Sequence, residues 1–194
     1  MKVIVTEKNG WQKFCHWFLT KVLGWTAVEG IPTEKNAILI GVPHTSIWDL
    51  VISYLYYTGV GGDAKVMVKK EAFKGPLGWI IRKLGGIPVD RSNSTAFIHS
   101  IIHEMNDSEK GLHLAMCPEG TRTAVHRWKT GYHTIAKQGG ATVYLGYFDW
   151  KHKVITCGEE FPLTDDARED TNRMQEYYSK MDIDGKHPEG WATK

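Results

Sequence analysis

Hydrophobic positions in this chain fall into short runs, and the spacing inside the runs changes along the sequence. Trp11, Phe14, Phe18, Val22 and Trp25 recur three to four residues apart, with Gln12, Lys13, His16 and Lys21 mostly between them. That is the period of one helix face, and it predicts an amphipathic helix over 11–25. Residues 26–30 and 37–42 are short apolar runs bounded by Pro32 and Pro43, the pattern of strands. A helix is expected over 48–57, opening behind Ser46 as its cap. Strands are expected over 64–68, 87–89, 111–117, 141–147 and 153–156. Helices are expected over 77–84, where Gly85-Gly86 stops the turn, over 94–106, over 131–137 and, in a more polar form, over 166–181. Phe97, Ile98, Ile101, Ile102 and Met105 mark the apolar face of the helix over 94–106.

Strands alternating with helices predict an α/β fold, a single domain with a mostly parallel central sheet flanked by helices. The 194 residues suffice for one full core and leave little room for a second. The division predicted is an N-terminal amphipathic segment over 1–25, one domain over 26–183, and a loose tail over 184–194, where Gly185, Pro188 and Gly190 gather. A net charge of +2 without a basic block argues against nucleic acid. Cys15, Cys117 and Cys157 are odd in number and widely spaced, which disfavours a disulfide framework or a thiolate metal site. The start of the chain lacks the apolar core of a secretory signal, and no run reaches the roughly 20 apolar residues that cross a bilayer. Helix 11–25, with Trp and Phe on one face and Lys on the other, suits a membrane interface; the plainer alternative is that it packs on the core.

Candidate chemistry collects at predicted strand ends, the rim where sites form in open α/β sheets. His44 follows Pro43, and Asp49 lies five residues on. Five helical steps do not put two side chains on one face. The pair can meet only if His44 stays in the loop while Asp49 enters the helix, where the carboxylate would fix the imidazole tautomer. A plain helix-capping pair is the alternative. Glu119-Gly120-Thr121-Arg122 follows the strand over 111–117, and Gly86-Ile87-Pro88-Val89-Asp90-Arg91 closes another. Each alone reads as turn chemistry or a solvated ion pair; three at successive strand ends point to a shared crevice. His99 and His103 have metal-ligand spacing but no third ligand nearby, so no metal is expected. Cys117 beside the turn is better read as a buried strand cysteine than as a nucleophile.

Together these segments resemble the glycerolipid acyltransferase family, the lysophosphatidic acid (1-acylglycerol-3-phosphate) acyltransferases and their relatives. His44 and Asp49 are similar to its His-x4-Asp block, Gly86–Arg91 to its second block, and Pro118–Arg122 to its third. Trp128-Lys129-Thr130-Gly131 resembles the basic-small segment that follows. The family's fourth block carries prolines, whereas residues 140–149 contain none. The resemblance implies an O-acyltransferase with His44 as general base and Asp49 as its orienting partner. It implies an acceptor site lined by Arg91, Glu119, Gly120, Thr121, Arg122 and Lys129. It further implies no cofactor, an acyl thioester donor (acyl-CoA or acyl-carrier protein), a lysophospholipid acceptor, and a peripheral position on the cytoplasmic face of a membrane. Alternatives are a non-glycerophosphate acceptor, such as another lysolipid or an amino-lipid, a thioesterase-like hydrolase, and a silent lipid-binding module.

Overall fold

The computed structural model describes residues 8–28, 30–90 and 93–192. Its strands are β1 (Thr26–Ala27), β2 (Ala37–Val42), β3 (Lys65–Lys69), β4 (Gly86–Val89), β5 (His113–Met116), β6 (Thr142–Asp149), β7 (Val154–Thr156) and β8 (Glu160–Phe161). Its α-helices are α1 (Gly10–Trp17), α2 (Trp48–Gly59), α3 (Gly75–Lys83), α4 (Ser94–Asp107), α5 (Gly131–Gly139) and α6 (Ala167–Ser179). The strands form one sheet in the order β1-β7-β6-β2-β5-β3-β4, with β8 pairing β6. From β4 to β6 the pairings are parallel, while β7 and β8 run antiparallel to β6. The α/β class read from the sequence is therefore the observed one.

β2 sits at the centre of the sheet and is buried on both faces, as parallel strands between helix layers are. Ile38, Ile40 and Val42 join a core with residues of α4, α5 and α6. Ala37 and Leu39 point the other way, into a core built with α1 and α2. Right-handed crossovers account for the sorting. The chain steps one way through α2 and α3, placing both on one face, and steps back through α4 and α5, placing these on the other. All five parallel strands consequently end at one rim.

Two expectations are corrected. Helix 11–25 is α-helical only to Trp17 and continues as a π-helical turn over Phe18–Val22. Its packed side is Cys15 and Leu19, while Trp11, Phe14, Trp17 and Val22 stay exposed; the anticipated aromatic face is thus largely the outward one. The tail over 184–192 is not loose. Gly185, Gly190 and Trp191 are buried, and the Trp191 ring packs on Trp128 at 5.9 Å. Loop-like composition signalled a lack of regular structure here, and a lack of regular structure is not a lack of packing.

Candidate active site

β2 delivers His44 to the rim, and the first turn of α2 brings Asp49 back toward it. The chain does this by making Asp49 the acceptor for the loop between them. Its Oδ2 takes the Thr45 N–H at 2.9 Å, the Ser46 N–H at 2.8 Å and His44 Nδ1 at 3.1 Å. The expected Ser46 cap is minor: its Oγ receives only the Trp48 N–H at 3.3 Å. An ionised carboxylate only accepts, so Nδ1 of His44 is the donor, and Nε2 is left as a proton acceptor. Asp49 is 2% exposed and His44 26%. The geometry thus pairs a buried carboxylate with a solvent-reachable imidazole.

The turn after β5 reaches the same place. Glu119 is buried, and its Oε2 accepts the backbone N–H of His44 at 2.9 Å. It braces the strand end that carries His44. Burial, helped by the nearby Asp49 charge and opposed by the His44 N–H bond, pushes the Glu119 carboxyl up to about 8. Gly120 occupies the left-handed region at φ 69°, a conformation that glycine adopts without a Cβ penalty, and its N–H closes the turn onto Cys117 O at 3.1 Å. Lys129 is tied to this turn by its N–H to Pro118 O at 2.7 Å, and its side chain runs past Gly120. Thr121 Oγ1 lies 3.1 Å from Thr123 Oγ1. Arg122 is exposed, and its carbonyl lies against Gly190, which also touches Thr45. Arg91 lies outside the described residues, although β4, which leads to it, ends at this rim.

The turn also holds a cysteine. Burial and the charges of Glu119 and Asp49 hold the Cys117 thiol well above its ordinary value, the opposite of an activated nucleophile. Among the described residues, no three His, Cys, Asp or Glu side chains gather as a metal site, and His103 pairs with Asp107 at 3.0 Å. The Thr45, Ser46 and Gly120 amides, candidates for stabilising an oxyanion, already serve Asp49 and the turn.

Residues 25–145 match the sequence model of a family described as Acyltransferase. The chain belongs to the acyltransferase family. Over 109 residues it is 33% identical to the 1-acyl-sn-glycerol-3-phosphate acyltransferase of Streptococcus pneumoniae, a match covering 55% of this chain and 39% of that protein. The chain thus spans well under half the length of this curated relative. The crystal structure of the 1-acyl-sn-glycerophosphate acyltransferase PlsC of Thermotoga maritima superposes with a TM-score of 0.59 at 20% identity, covering 86% of this chain and 74% of that one. At that identity the likeness carries the fold.

Part of the site lies beyond the family match and escaped sequence reasoning. Trp150, just past β6, donates its indole N–H to Asp49 Oδ1 at 2.8 Å, so both carboxylate oxygens of Asp49 are held. Its ring meets Trp25 edge-on at 5.0 Å, and its backbone N–H bonds Asp184 O at 2.8 Å. From there the chain straps across the rim. The His187 N–H reaches Thr45 Oγ1 at 3.2 Å. Lys186 Nζ sits 5.1 Å from the Trp48 ring and 4.9 Å from the Trp150 ring. Gly185 fits because a Cβ there would lie 2.4 Å from Thr45 Oγ1. No signal short of the fold links these residues to position 49.

A cavity of about 330 Å³ lies on the α1–α2–α3 side of the sheet. Leu39, Tyr54, Tyr57, Leu84, Ala115 and Phe148 give it mainly apolar walls. His44 is not part of its lining. Its lining includes Gly41 of β2 and Phe148 of β6, the two strands that lead to His44 and Trp150.

Proposed function

We propose that this chain is an O-acyltransferase of glycerolipid synthesis, moving a fatty acyl group from an acyl thioester to the hydroxyl of a lysophosphatidic-acid-like acceptor. The observation that carries this reading is the His44–Asp49 pair at the sheet rim, within the family-matched stretch, with one imidazole nitrogen committed to the carboxylate and the other open. The acceptor hydroxyl rests against Nε2. As its oxygen attacks the thioester carbonyl, the hydroxyl proton passes to His44, and Asp49 stabilises the imidazolium. The tetrahedral intermediate collapses, the C–S bond breaks, and the imidazolium returns the proton to the departing sulfur. The nucleophile is the substrate, so no acyl-enzyme forms.

Arg122 and Lys129, on and beside the turn that carries Glu119, serve as cations for the acceptor phosphate, and Arg91 joins them by family resemblance. Charge-assisted bonds of this kind fix a phosphate and hence the hydroxyl attached to it. Glu119 acts on the base rather than on the ligand, by bonding its backbone. Acyl-CoA or acyl-carrier protein serves as donor, with the apolar cavity taking the fatty chain. Among the described residues no helix is long and apolar enough to cross a membrane. The outward Trp11, Phe14 and Trp17 of α1 favour attachment at an interface, where such rings sit at headgroup level; the cytoplasmic face is the side proposed.

The test is thiol release from long-chain acyl-CoA and from acyl-carrier protein, with and without lysophosphatidic acid. Acceptor-dependent release is expected, with His44→Ala losing turnover while its circular dichroism stays unchanged. Release that needs no acceptor assigns a hydrolase instead. An alanine variant of near-normal activity removes His44 from the chemistry.

A further inference from the structure

α3 offers a surface that the transfer chemistry leaves unexplained. Trp79, Leu77 and Ile80 are 63%, 53% and 47% exposed, on a helix of nine residues. The helix is not free to turn them inward. Its inner side is Gly78 and Ile81, both buried, and a Cβ at Gly78 would lie 2.0 Å from Phe73 O. At 100° per residue, Trp79, Lys83, Pro76, Ile80 and Leu77 follow one another around the outer half.

The charges on this segment are of one sign. Residues 74–84 contain Lys74, Arg82 and Lys83 and no acid. Lys83 Nζ lies 5.7 Å from the Trp79 ring centroid, and Arg82 lies 5.3 Å from that of Phe73. Cationic heads resting over aromatic rings on an exposed helix suit a boundary between apolar and charged layers. A second copy of this chain fits the surface poorly, because a two-fold contact would set the same cations against each other. An anionic bilayer supplies both missing complements, an apolar layer for Trp79, Leu77 and Ile80 and negative headgroups for the lysines and arginine.

The position of α3 adds a reason for such a contact. Arg82, Lys83 and Leu84 at its end line the same cavity as Asn9, Trp11 and Gln12 at the start of α1. Two helices with outward aromatic residues therefore border one apolar cavity. We infer that the outer face of α3 is a second membrane-contacting surface, binding anionic phospholipid bilayers alongside α1. This deepens the proposed function by naming a membrane-facing element, but binding itself is independent of turnover.

The experiment is flotation of the full chain with vesicles of phosphatidylglycerol and phosphatidylethanolamine, against vesicles of phosphatidylcholine alone. Wild type should float with the anionic vesicles and less so at high salt. The variant Leu77→Ser/Trp79→Ser/Ile80→Ser should lose at least about tenfold in partitioning, and its turnover of a soluble short-chain acyl-CoA should match wild type. A Trp11→Ser/Phe14→Ser/Trp17→Ser variant measures the share of α1. Where the α3 triple variant does not fold, Trp79→Phe replaces it: brominated phospholipid should quench wild-type tryptophan emission and quench this variant less. Three outcomes overturn the inference: wild type that does not float, an α3 variant that floats like wild type or is quenched like it, or a wild-type dimer that the α3 substitutions convert to monomer. Because flotation and quenching read no chemistry, failure of the transferase assay leaves them interpretable.

Discussion

At the scale of single residues, Asp49 is the most constrained group of the site. It receives two backbone N–H groups, His44 Nδ1 and the Trp150 indole, which saturates the carboxylate and fixes its plane. Trp150→Phe removes one donor and keeps most of the ring volume. On the proposed mechanism it should lower kcat about tenfold with KM nearly unchanged, since the loss falls on the orientation of His44 rather than on substrate binding; steady-state kinetics beside a thermal melt separates this from simple destabilisation. Glu119 makes a different prediction. Its native carboxyl is held up to about 8 from an ordinary 4.5, so between those values the folded state binds the proton that the unfolded state releases. Stability is then greatest below the ordinary value and falls as pH rises through about 8. Glu119→Gln keeps an acceptor for the His44 N–H and cannot ionise. Urea denaturation from pH 5 to 9 should show a decline of a few kcal/mol in wild type and a flatter profile in the variant.

At the scale of elements, what the sequence revealed depended on whether a segment's role was local. The loop from β2 into α2 was legible because proline, a histidine before the helix and a carboxylate inside it admit few geometries. α4 followed from a five-residue apolar face. The two-residue β8 left no periodic trace, and α1 was recognised as amphipathic from its aromatic face alone, since Trp and Phe dominate a hydrophobicity pattern while Cys15 and Leu19 make the contacts. The strap over 184–191 was invisible for the same reason. Its glycines look like flexibility, yet at Gly185 and Gly190 they allow close approach to Thr45. Trp191 is the anchor of the strap, buried against Trp128. Trp191→Ala should cost about 3–5 kcal/mol in chemical denaturation and reduce turnover as well, because the strap also holds Lys186 over Trp48 and Trp150. An equal loss of stability with full activity at low temperature separates the strap from the site.

At the scale of the whole molecule, the sheet converts distance along the chain into proximity at one rim. His44, Glu119, Trp150 and His187 come from four parts of the sequence, and only the first two lay in recognisable motifs. The motifs marked His44 and Glu119; the contacts that hold them depend on which strands are neighbours, and composition does not encode that order. The cavity belongs to this scale too, because β2, β5, β6, α1, α2 and α3 all contribute to it. Narrowing it with Ala115→Phe should shift preference toward shorter acyl chains, read from rates across a graded series of acyl-CoA donors, while the shortest donor is processed as in wild type.

The strap has a bearing on biosynthesis. Translation delivers the imidazole and its carboxylate early, but the segment that seats against Thr45 and Trp128 emerges more than a hundred residues later. A nascent polypeptide still holding Trp191 inside the ribosomal exit tunnel cannot yet close the rim around His44 and Asp49, so this arrangement is complete only after Trp191 is released.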